Sequence, residues 1–282
     1  MFNLPCSLQE DESLYLMIDG SSITDIGRKI YELDENVEAY VLYGNSDYEL
    51  LLDASPWLVK CTQQTEAILQ WLEESSFLST ASWLFQSKSP INTIIEHFQS
   101  LIVADAYGQD VFFRFADPRV MFALVKEHIE KQNFHITAML SVFWFKPEQH
   151  WICIETQEQR SSNLNKYIIS DGDIEIFQRV AKEWVIKQLE QHITNYYPDW
   201  DVINPKIGSQ QIVNEAARLG ITTERGVYLY TYILGTIGIR NIQENKYPQI
   251  FELLQLPSQY TPEQRVEKAA MMVQQENKEL KL

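Results

Sequence analysis

Hydrophobic and polar positions follow different periods in the two halves of this 282-residue chain. In the first half, short apolar runs with the period of strands are separated by segments with the period of helices. The clearest strand is residues 14–18, which end at Asp19-Gly20. The clearest helix is residues 89–101, where large apolar residues recur on one face. This alternation predicts an α/β N-terminal lobe in which helices flank a mixed sheet.

The remaining elements of the first half follow from the same two periods. The Ser-Ser-Ile-Thr-Asp segment after Gly20 offers hydroxyl groups that can cap a helix ending near Leu33. Residues 37–43 alternate and stop at Gly44-Asn45, which predicts a strand. We predict further strands at 57–61, 109–115, 136–145 and 150–156, an aromatic strand-rich segment at 77–85, and helices at 65–74 and 118–131.

Helical spacing takes over in the second half. From residue 174 to residue 196, and in nearly everything downstream, apolar positions recur three and four residues apart. Prolines and glycines divide this stretch into separate helices, and Thr261-Pro262-Glu263 is a typical start of the last one. The sequence therefore predicts two domains, an α/β domain at residues 1–160 and an all-α C-terminal lobe at residues 161–282.

Charge narrows the classes of partner. The formal net charge is -16 at pH 7, so the surface repels phosphate backbones and anionic lipid headgroups. We therefore expect neither nucleic acid nor a membrane as a partner. Acidic residues crowd the first sixty positions, where only Arg28, Lys29 and Lys60 oppose them. A partner that binds there would gain from a basic patch, although better solubility explains the same pattern.

Targeting and redox signals favour the cytoplasm. The N-terminus lacks a basic segment followed by a long apolar run, so it does not form a secretory signal. No stretch approaches the roughly 20 apolar residues that span a bilayer. Cys6, Cys61 and Cys153 form an odd, scattered set without metal-ligand spacing, which suits a reducing compartment.

Sequence motifs that mark catalysis are missing. The five histidines occur in no HExxH, HxH or CxxCH arrangement, and there is no GxSxG elbow, P-loop, GxGxxG fingerprint or kinase signature. Because no activated nucleophile, metal-ligand set or phosphate-binding loop is indicated, we expect no enzyme activity, no cofactor and no metal.

The segment VFFRFADPRV combines charged residues with an aromatic strand pattern. Arg114 lies inside the predicted strand, so its guanidinium needs a carboxylate or carbonyl partner if that strand is buried. Asp117 can cap a helix that begins at Pro118, because proline needs no donor at the first helical position. Asp19, at the end of the first strand, is the candidate carboxylate that closes a polar cluster with Arg114 and Arg119.

Two interpretations of this polar cluster stay open. In the first, the charged pairs stabilise the fold. In the second, the arginines and the helix amides hold an anion at the junction of strand and helix. The second would make the chain an enzyme or binding protein for a phosphate- or carboxylate-bearing small molecule, and a structural or regulatory module is a third class.

Three blocks of the sequence resemble the adaptor or chaperone family encoded beside type VI secretion spike genes, often called Tap or Tec proteins. The block LYLMIDGSS is similar to an aliphatic strand of that family that ends in Asp-Gly, here Asp19 and Gly20. The middle block supplies Leu42-Tyr43 and a Ser-Pro-Trp-Leu-Val run at residues 55–59. The third block, FFRFADPRVMFALVKEH, carries the most specific part of the family motif on Arg114, Asp117, Pro118 and Arg119.

This resemblance covers roughly residues 14–132 and implies a function without catalysis. Members of the family recognise a toxic effector and couple it to a VgrG spike protein, so the implied partners are a cognate effector and VgrG. The implied location is the cytoplasm. The chain departs from the family at Ala116, where a larger residue is common. Beyond residue 165 it resembles only a helical C-terminal lobe, which varies across the family.

One helix of the C-terminal lobe is the candidate partner-binding element. The segment GVYLYTYILGTIG is apolar or aromatic nearly all round and carries Tyr228, Tyr230 and Tyr232. Tyrosine combines a large contact area with a polar tip and is enriched at interfaces. This interpretation predicts that a hydrophobic, helical segment of the effector covers part of the tyrosine face. The alternative is a central helix buried by its own lobe.

Overall fold

The computed structural model describes residues 11–62, 65–128, 135–137, 139–148, 150–156, 166–198, 200, 205–238, 246–256 and 258–279. Contacts between Cα atoms divide the chain into two compact units, Met1–Val180 and Ala181–Leu282. The prediction of an α/β N-terminal lobe followed by a helical C-terminal lobe is confirmed.

A six-stranded sheet forms the centre of the first unit. The strands of this unit are β1 Ser13–Ile18, β2 Ala39–Val41, β3 Trp57–Lys60, β4 Ser82–Ser87, β5 Val103–Ala106, β6 Gln109–Phe112, β7 Val142–Phe145 and β8 Ile152–Glu155. The large sheet has the order β2-β3-β1-β4-β7-β8, and β5 and β6 form a separate hairpin. Every ladder pairing is antiparallel. The sequence predicted both parallel and antiparallel pairing. Among the described residues, the parallel pairing is an isolated bridge between Asp105 and Ile168.

Helices connect and cover these strands. They are α1 Ile26–Leu33, α2 Glu66–Glu74, α3 Phe77–Thr80, α4 Ile91–Leu101, α5 Pro118–His128 and α6 Asp171–Tyr196. Three short 3-10 helices are also described, η1 Gly20–Ser22, η2 Glu49–Ala54 and η3 His135–Thr137. Helix α6 begins in the first unit and ends in the second.

Both faces of the large sheet are buried, which explains the continuous apolar run of β1. Because side chains alternate along a strand, Tyr15 and Met17 lie in one apolar cluster, whereas Leu16 and Ile18 lie in another. Helices α4 and α5 contribute to the first cluster, and α1 and α2 to the second. The strands therefore form a well-packed platform, and the candidate site lies where β1 ends.

The second unit is helical throughout its described residues. Besides the end of α6, it contains α7 Pro205–Arg218, α8 Glu224–Ile237, α9 Pro248–Gln255 and α10 Pro262–Glu279. Apolar side chains from all of these helices form its core. The predicted start of the last helix is present as a capping box, in which Thr261 and Gln264 exchange side-chain to backbone hydrogen bonds of 3.1 and 3.3 Å. No described helix has the length and apolar content to cross a membrane.

The predicted strands after the first are shorter in the structure than their apolar patterns indicated, and residues 37–43, for example, form a strand only at Ala39–Val41. Residues 77–85 begin with α3, because the hydroxyls of Ser79 and Thr80 bond to the Ser76 carbonyl and close a helical turn. Residues 109–115 are a strand only to Phe112, and residues 136–145 begin with η3 before β7. At residues 77–80, local hydrogen bonds that the period does not reveal form a helical turn in place of a strand.

The first unit extends beyond the point where the helical pattern begins. Tyr167, Ile169 and Ile176 are buried in the core of the first unit. The backbone of Asp105 also bonds with Tyr167 and Ile169, each at 2.8 Å. Residues 166–180 therefore belong to the first unit by packing, although their helical pattern resembles that of the second.

Candidate functional site

A buried aspartate at the end of β1 collects four hydrogen bonds. Asp19 Oδ1 accepts bonds from the backbone N and the Oγ of Ser21, at 3.1 and 2.6 Å. Its Oδ2 accepts bonds from Ser22 Oγ at 3.0 Å and from Arg114 Nη2 at 2.7 Å. The Asp19 backbone N donates to the Ala81 carbonyl at 2.8 Å. Asp19 therefore shapes η1, anchors it to the segment before β4 and holds a cation.

Gly20 lets two segments approach more closely than a side chain allows. A Cβ atom at Gly20 would lie 2.0 Å from the carbonyl oxygen of Ser55. Ser55 is itself buried, and its Oγ accepts a bond from Tyr43 N and donates one to the Pro56 carbonyl, both at 2.9 Å. This contact fixes the Ser-Pro block against the Asp-Gly block.

The sequence predicted that Arg114 lies inside a strand, but in the structure it lies outside one. Strand β6 ends at Phe112, and the Arg114 side chain is 56% exposed. Its Nη2 atom lies 2.7 Å from Asp19 Oδ2, 3.1 Å from Ser21 Oγ and 3.9 Å from Asp117 Oδ2. Arg114 therefore bridges two buried carboxylates at the surface of the first unit.

Asp117 caps α5 and pairs with Arg119. Asp117 Oδ1 accepts bonds from the backbone N and the Nε of Arg119, at 3.0 and 2.9 Å, and Oδ2 accepts one from Nη2 at 2.6 Å. Pro118 occupies the first position of α5, as the sequence predicted. A two-pronged contact of this kind is the strongest geometry between arginine and a carboxylate. Asp117 thus serves the helix terminus and the guanidinium at once.

The charges of this site, the motif cluster of Asp19, Arg114, Asp117 and Arg119, balance one another. Burial lowers the pKa of Arg114, but the carboxylates of Asp19 and Asp117 outweigh it and raise that pKa overall. Burial, with the nearby Asp19 carboxylate, raises the pKa of the Tyr43 phenol. Both pKa shifts lead away from neutrality, so neither group is tuned for acid-base catalysis near pH 7.

The motif cluster and its neighbours Gly20, Tyr43 and Ser55 come from three blocks that are far apart in the sequence. Asp19 and Gly20 come from the first block, Tyr43 and Ser55 from the second, and the arginines from the third. The sequence offered Ser21 only as a possible helix cap, whereas its hydroxyl bonds to both Asp19 and Arg114. Its place directly after Asp-Gly was the only available signal. Within the described ranges, no three His, Cys, Asp or Glu side chains could hold a metal ion.

A second buried polar pair lies at the C-terminal end of α5. His128 Nε2 is 2.5 Å from Asp173 Oδ1, and the N and Oγ of Ser170 donate to Asp173 Oδ2 at 2.8 and 2.7 Å. Burial alone would raise the pKa of Asp173, but hydrogen bonds from Ser170, His128 and Tyr167 lower it. Because Ser170 bonds to the carboxylate and not to the imidazole, the arrangement does not activate a serine nucleophile. It ties α5 to the first turn of α6.

Asp173→Asn should lower the free energy of unfolding at pH 7 by about 2 kcal/mol, because bonds to a buried carboxylate are lost. The folded pKa of Asp173 lies below its ordinary value of 3.8. Its stabilisation is therefore complete above that value and is lost as the pH falls through the lowered pKa. Urea titrations should show the difference between wild type and variant narrowing in acid. A constant difference at all pH values, or an equal loss in the exposed neighbour variant Asp171→Asn, contradicts this prediction.

The three candidate tyrosines of α8 lie in different environments. Tyr230 is 3% exposed and belongs to the core of the second unit, where burial and Glu215 raise its pKa. Tyr228 and Tyr232 are half-buried and pack against that core. Residues two apart on a helix point to opposite sides, whereas residues four apart share a face. Tyr230 therefore packs inside its own unit, whereas Tyr228 and Tyr232 are more accessible, and the assignment of these tyrosines as partner-binding residues stays a prediction.

Comparisons with known proteins place the motif cluster inside a recognised domain. Residues 14–133 match the family described as Domain of unknown function (DUF4123). The chain is also 27% identical over 277 residues to the accessory protein VasW of Vibrio cholerae serotype O1. This similarity covers 95% of this chain and 90% of VasW. No solved structure matches the chain significantly. The family match contains all three motif blocks, and the similarity to VasW extends into the second unit.

Proposed function

We propose that this chain, whose residues 14–133 are a DUF4123 domain of the adaptor type associated with type VI secretion, is an effector adaptor of that system. It binds a cognate toxic effector in the cytoplasm and couples it to the VgrG spike, without catalysing a reaction. The observation that carries this proposal is the meeting of all three adaptor-like sequence blocks around one charge-balanced cluster whose two carboxylates are buried.

The geometry of the motif cluster supports a role in shaping a binding surface. Each of its buried carboxylates is already paired with a guanidinium. The cluster fastens η1, the Ser55-Pro56 segment and the start of α5 to one another. These are segments between regular elements, and such segments carry recognition in many proteins while a rigid sheet supports them. An adaptor needs this kind of fixed surface.

The alternative, a site for an anionic small molecule, finds less support in the same contacts. An anion site needs guanidinium groups with surplus positive charge. Arg114 is held by Asp19, and Arg119 is held through three hydrogen bonds to Asp117. An anion would have to displace buried carboxylates from their partners, which is costly.

We assign different roles to the two units. The first unit carries the family domain, so we assign to it the features that adaptors share. The second unit supplies selectivity for the effector, and Tyr228 and Tyr232 are its candidate contact residues. They lie on one face of α8, where Tyr228 packs edge-on against the His192 ring at 5.0 Å. Neither nucleic acid nor a membrane fits the net charge of -16.

Secretion of the effector tests this proposal in the cell. A strain that lacks this chain should still export VgrG but should fail to export the effector encoded beside the adaptor gene. The wild-type chain should restore effector export, because loading and not machine assembly is the missing step. Unchanged export of that effector in the deletion strain would rule out the proposed function.

A further inference from the structure

Helix η2 exposes three consecutive leucines. Leu50 is 99% exposed, Leu51 45% and Leu52 43%. Single apolar residues are common on protein surfaces, but an exposed run of three promotes association and is typical of a surface that binds a partner. The neighbouring residues on both sides, Glu49 and Asp53, are acidic. The leucine run is therefore an apolar strip with negatively charged ends.

The leucine run borders a groove of about 640 Å³ on the first unit. Leu52, Ile23 and Trp57 contribute apolar side chains to its lining, and Gly20 belongs to it as well. Grooves of this size hold a few side chains of a bound ligand. Leu52 belongs to both the run and the groove lining, and we call the lining residues together with Leu50 and Leu51 the leucine groove.

Charge in the leucine groove is predominantly negative. Asp25 and Asp53 line it, and neither carboxylate forms an ion pair or hydrogen bond with another described residue. Arg28 also lines the groove, but its Nε is bound to Glu32 at 2.8 Å, which offsets its positive charge. A ligand that brings apolar groups alone would leave the two aspartates without a counterion.

We propose that the leucine groove is a docking surface for an effector segment that combines apolar side chains with flanking lysine or arginine. This inference rests on the proposed adaptor function and adds the place and the chemistry of one contact. Burial of the leucines supplies attraction, and the aspartates supply orientation and a faster encounter.

Charge also decides against two other occupants of the leucine groove. A second copy of this chain would bring Asp25 and Asp53 against the same acidic surface, and both copies carry a net charge of -16. An anionic membrane surface would be repelled in the same way. A protein segment with basic residues is the occupant for which both the apolar and the charged parts of the groove are favourable.

The motif cluster fixes two of the segments that line the leucine groove. Gly20 contacts the carbonyl of Ser55, and Ser55 N donates to the Leu52 carbonyl at 3.0 Å. Asp19 holds η1 in place through Ser21 and Arg114. A change in the family motif should therefore alter the shape of the leucine groove, because the motif holds η1 and the Ser55 segment in place.

Binding measurements on the full chain test the leucine groove. The probe is the purified effector encoded beside the adaptor gene, and its dissociation constant is measured by interferometry. Leu50→Asp should weaken binding at least about tenfold without unfolding the chain, because Leu50 is fully exposed. The matched control Ile168→Asp, at another exposed apolar residue of the first unit, should bind as the wild type does.

The charged part of the groove has its own test. Asp25→Asn together with Asp53→Asn should make binding less sensitive to salt, whereas the exposed control Glu148→Asn should leave the salt dependence unchanged.

The possible outcomes separate this inference from the proposed function. Equal binding by Leu50→Asp and wild type overturns the leucine groove while leaving the adaptor function intact. No binding by the wild type overturns both. A change from dimer to monomer in Leu50→Asp with unchanged effector binding would identify the groove as a self-interface and overturn the proposal.

Discussion

Gly20→Ala should lower the free energy of unfolding by more than about 3 kcal/mol, or prevent folding. The new methyl group would lie 2.0 Å from the Ser55 carbonyl oxygen, a backbone atom. Ser55 cannot easily retreat, because its hydroxyl is bonded on both sides in a buried position. The Asp-Gly and Ser-Pro blocks would have to separate, and the groove between η1 and η2 would change shape.

A second glycine provides the control for Gly20→Ala. At Gly172, in the first turn of α6, the closest atom to an added Cβ is 3.8 Å away. Gly172→Ala should therefore leave stability unchanged or raise it by up to about 1 kcal/mol through higher helix propensity. Urea unfolding followed by tryptophan fluorescence measures both variants. Similar unfolding curves for Gly20→Ala and wild type would show that the two blocks are not held in contact.

Asp117→Ala should cost about 3–5 kcal/mol of unfolding free energy, because it leaves Arg119 without its buried counterion. The same change removes the cap of α5, a loss of about 1 kcal/mol by itself. All three hydrogen bonds that Asp117 accepts from Arg119 disappear together. Thermal and urea unfolding of the purified variant measure the loss.

Arg114→Ala is the matched comparison for Asp117→Ala. Its side chain is 56% exposed, so solvent screens the pair with Asp19, and the Asp19 carboxylate keeps its three hydrogen bonds from Ser21 and Ser22. The expected loss is therefore only about 1 kcal/mol, less than a strand-buried arginine would give. Circular dichroism should show both variants folded at low temperature. We conclude that Asp117 contributes more than Arg114 to the stability of the motif cluster. Equal losses of unfolding free energy in the two variants would contradict this conclusion.

Local rules explain the parts of the site that the sequence could predict. Asp117 and Pro118 begin a helix because their backbone requirements are local, and the structure has this helix start. A guanidinium beside an aromatic segment needs a carboxylate partner, which made Asp19 the candidate partner of Arg114, and the two are paired in the structure. The three sequence blocks all lie within residues 14–133, the part of the chain that matches the DUF4123 family.

Long-range packing explains the parts that the sequence could not predict. The direction of strand pairing, antiparallel throughout the large sheet, leaves no trace in the alternation of single strands. Leu50 is apolar but exposed to solvent, and the spacing of apolar residues along the chain does not predict this. Tyr230 and its neighbours Tyr228 and Tyr232 have the same residue type, and only the packing of α8 separates core from surface.

Reconstitution from purified components tests the bridging of effector and spike most directly. The effector encoded beside the adaptor gene, VgrG and this chain are mixed singly, in pairs and together, and each mixture is analysed by size-exclusion chromatography with light scattering. We expect the effector to co-elute with VgrG only when this chain is present, in one complex that contains all three proteins. Co-elution of effector and VgrG without this chain, or failure of this chain to bind either of them, would contradict the adaptor function.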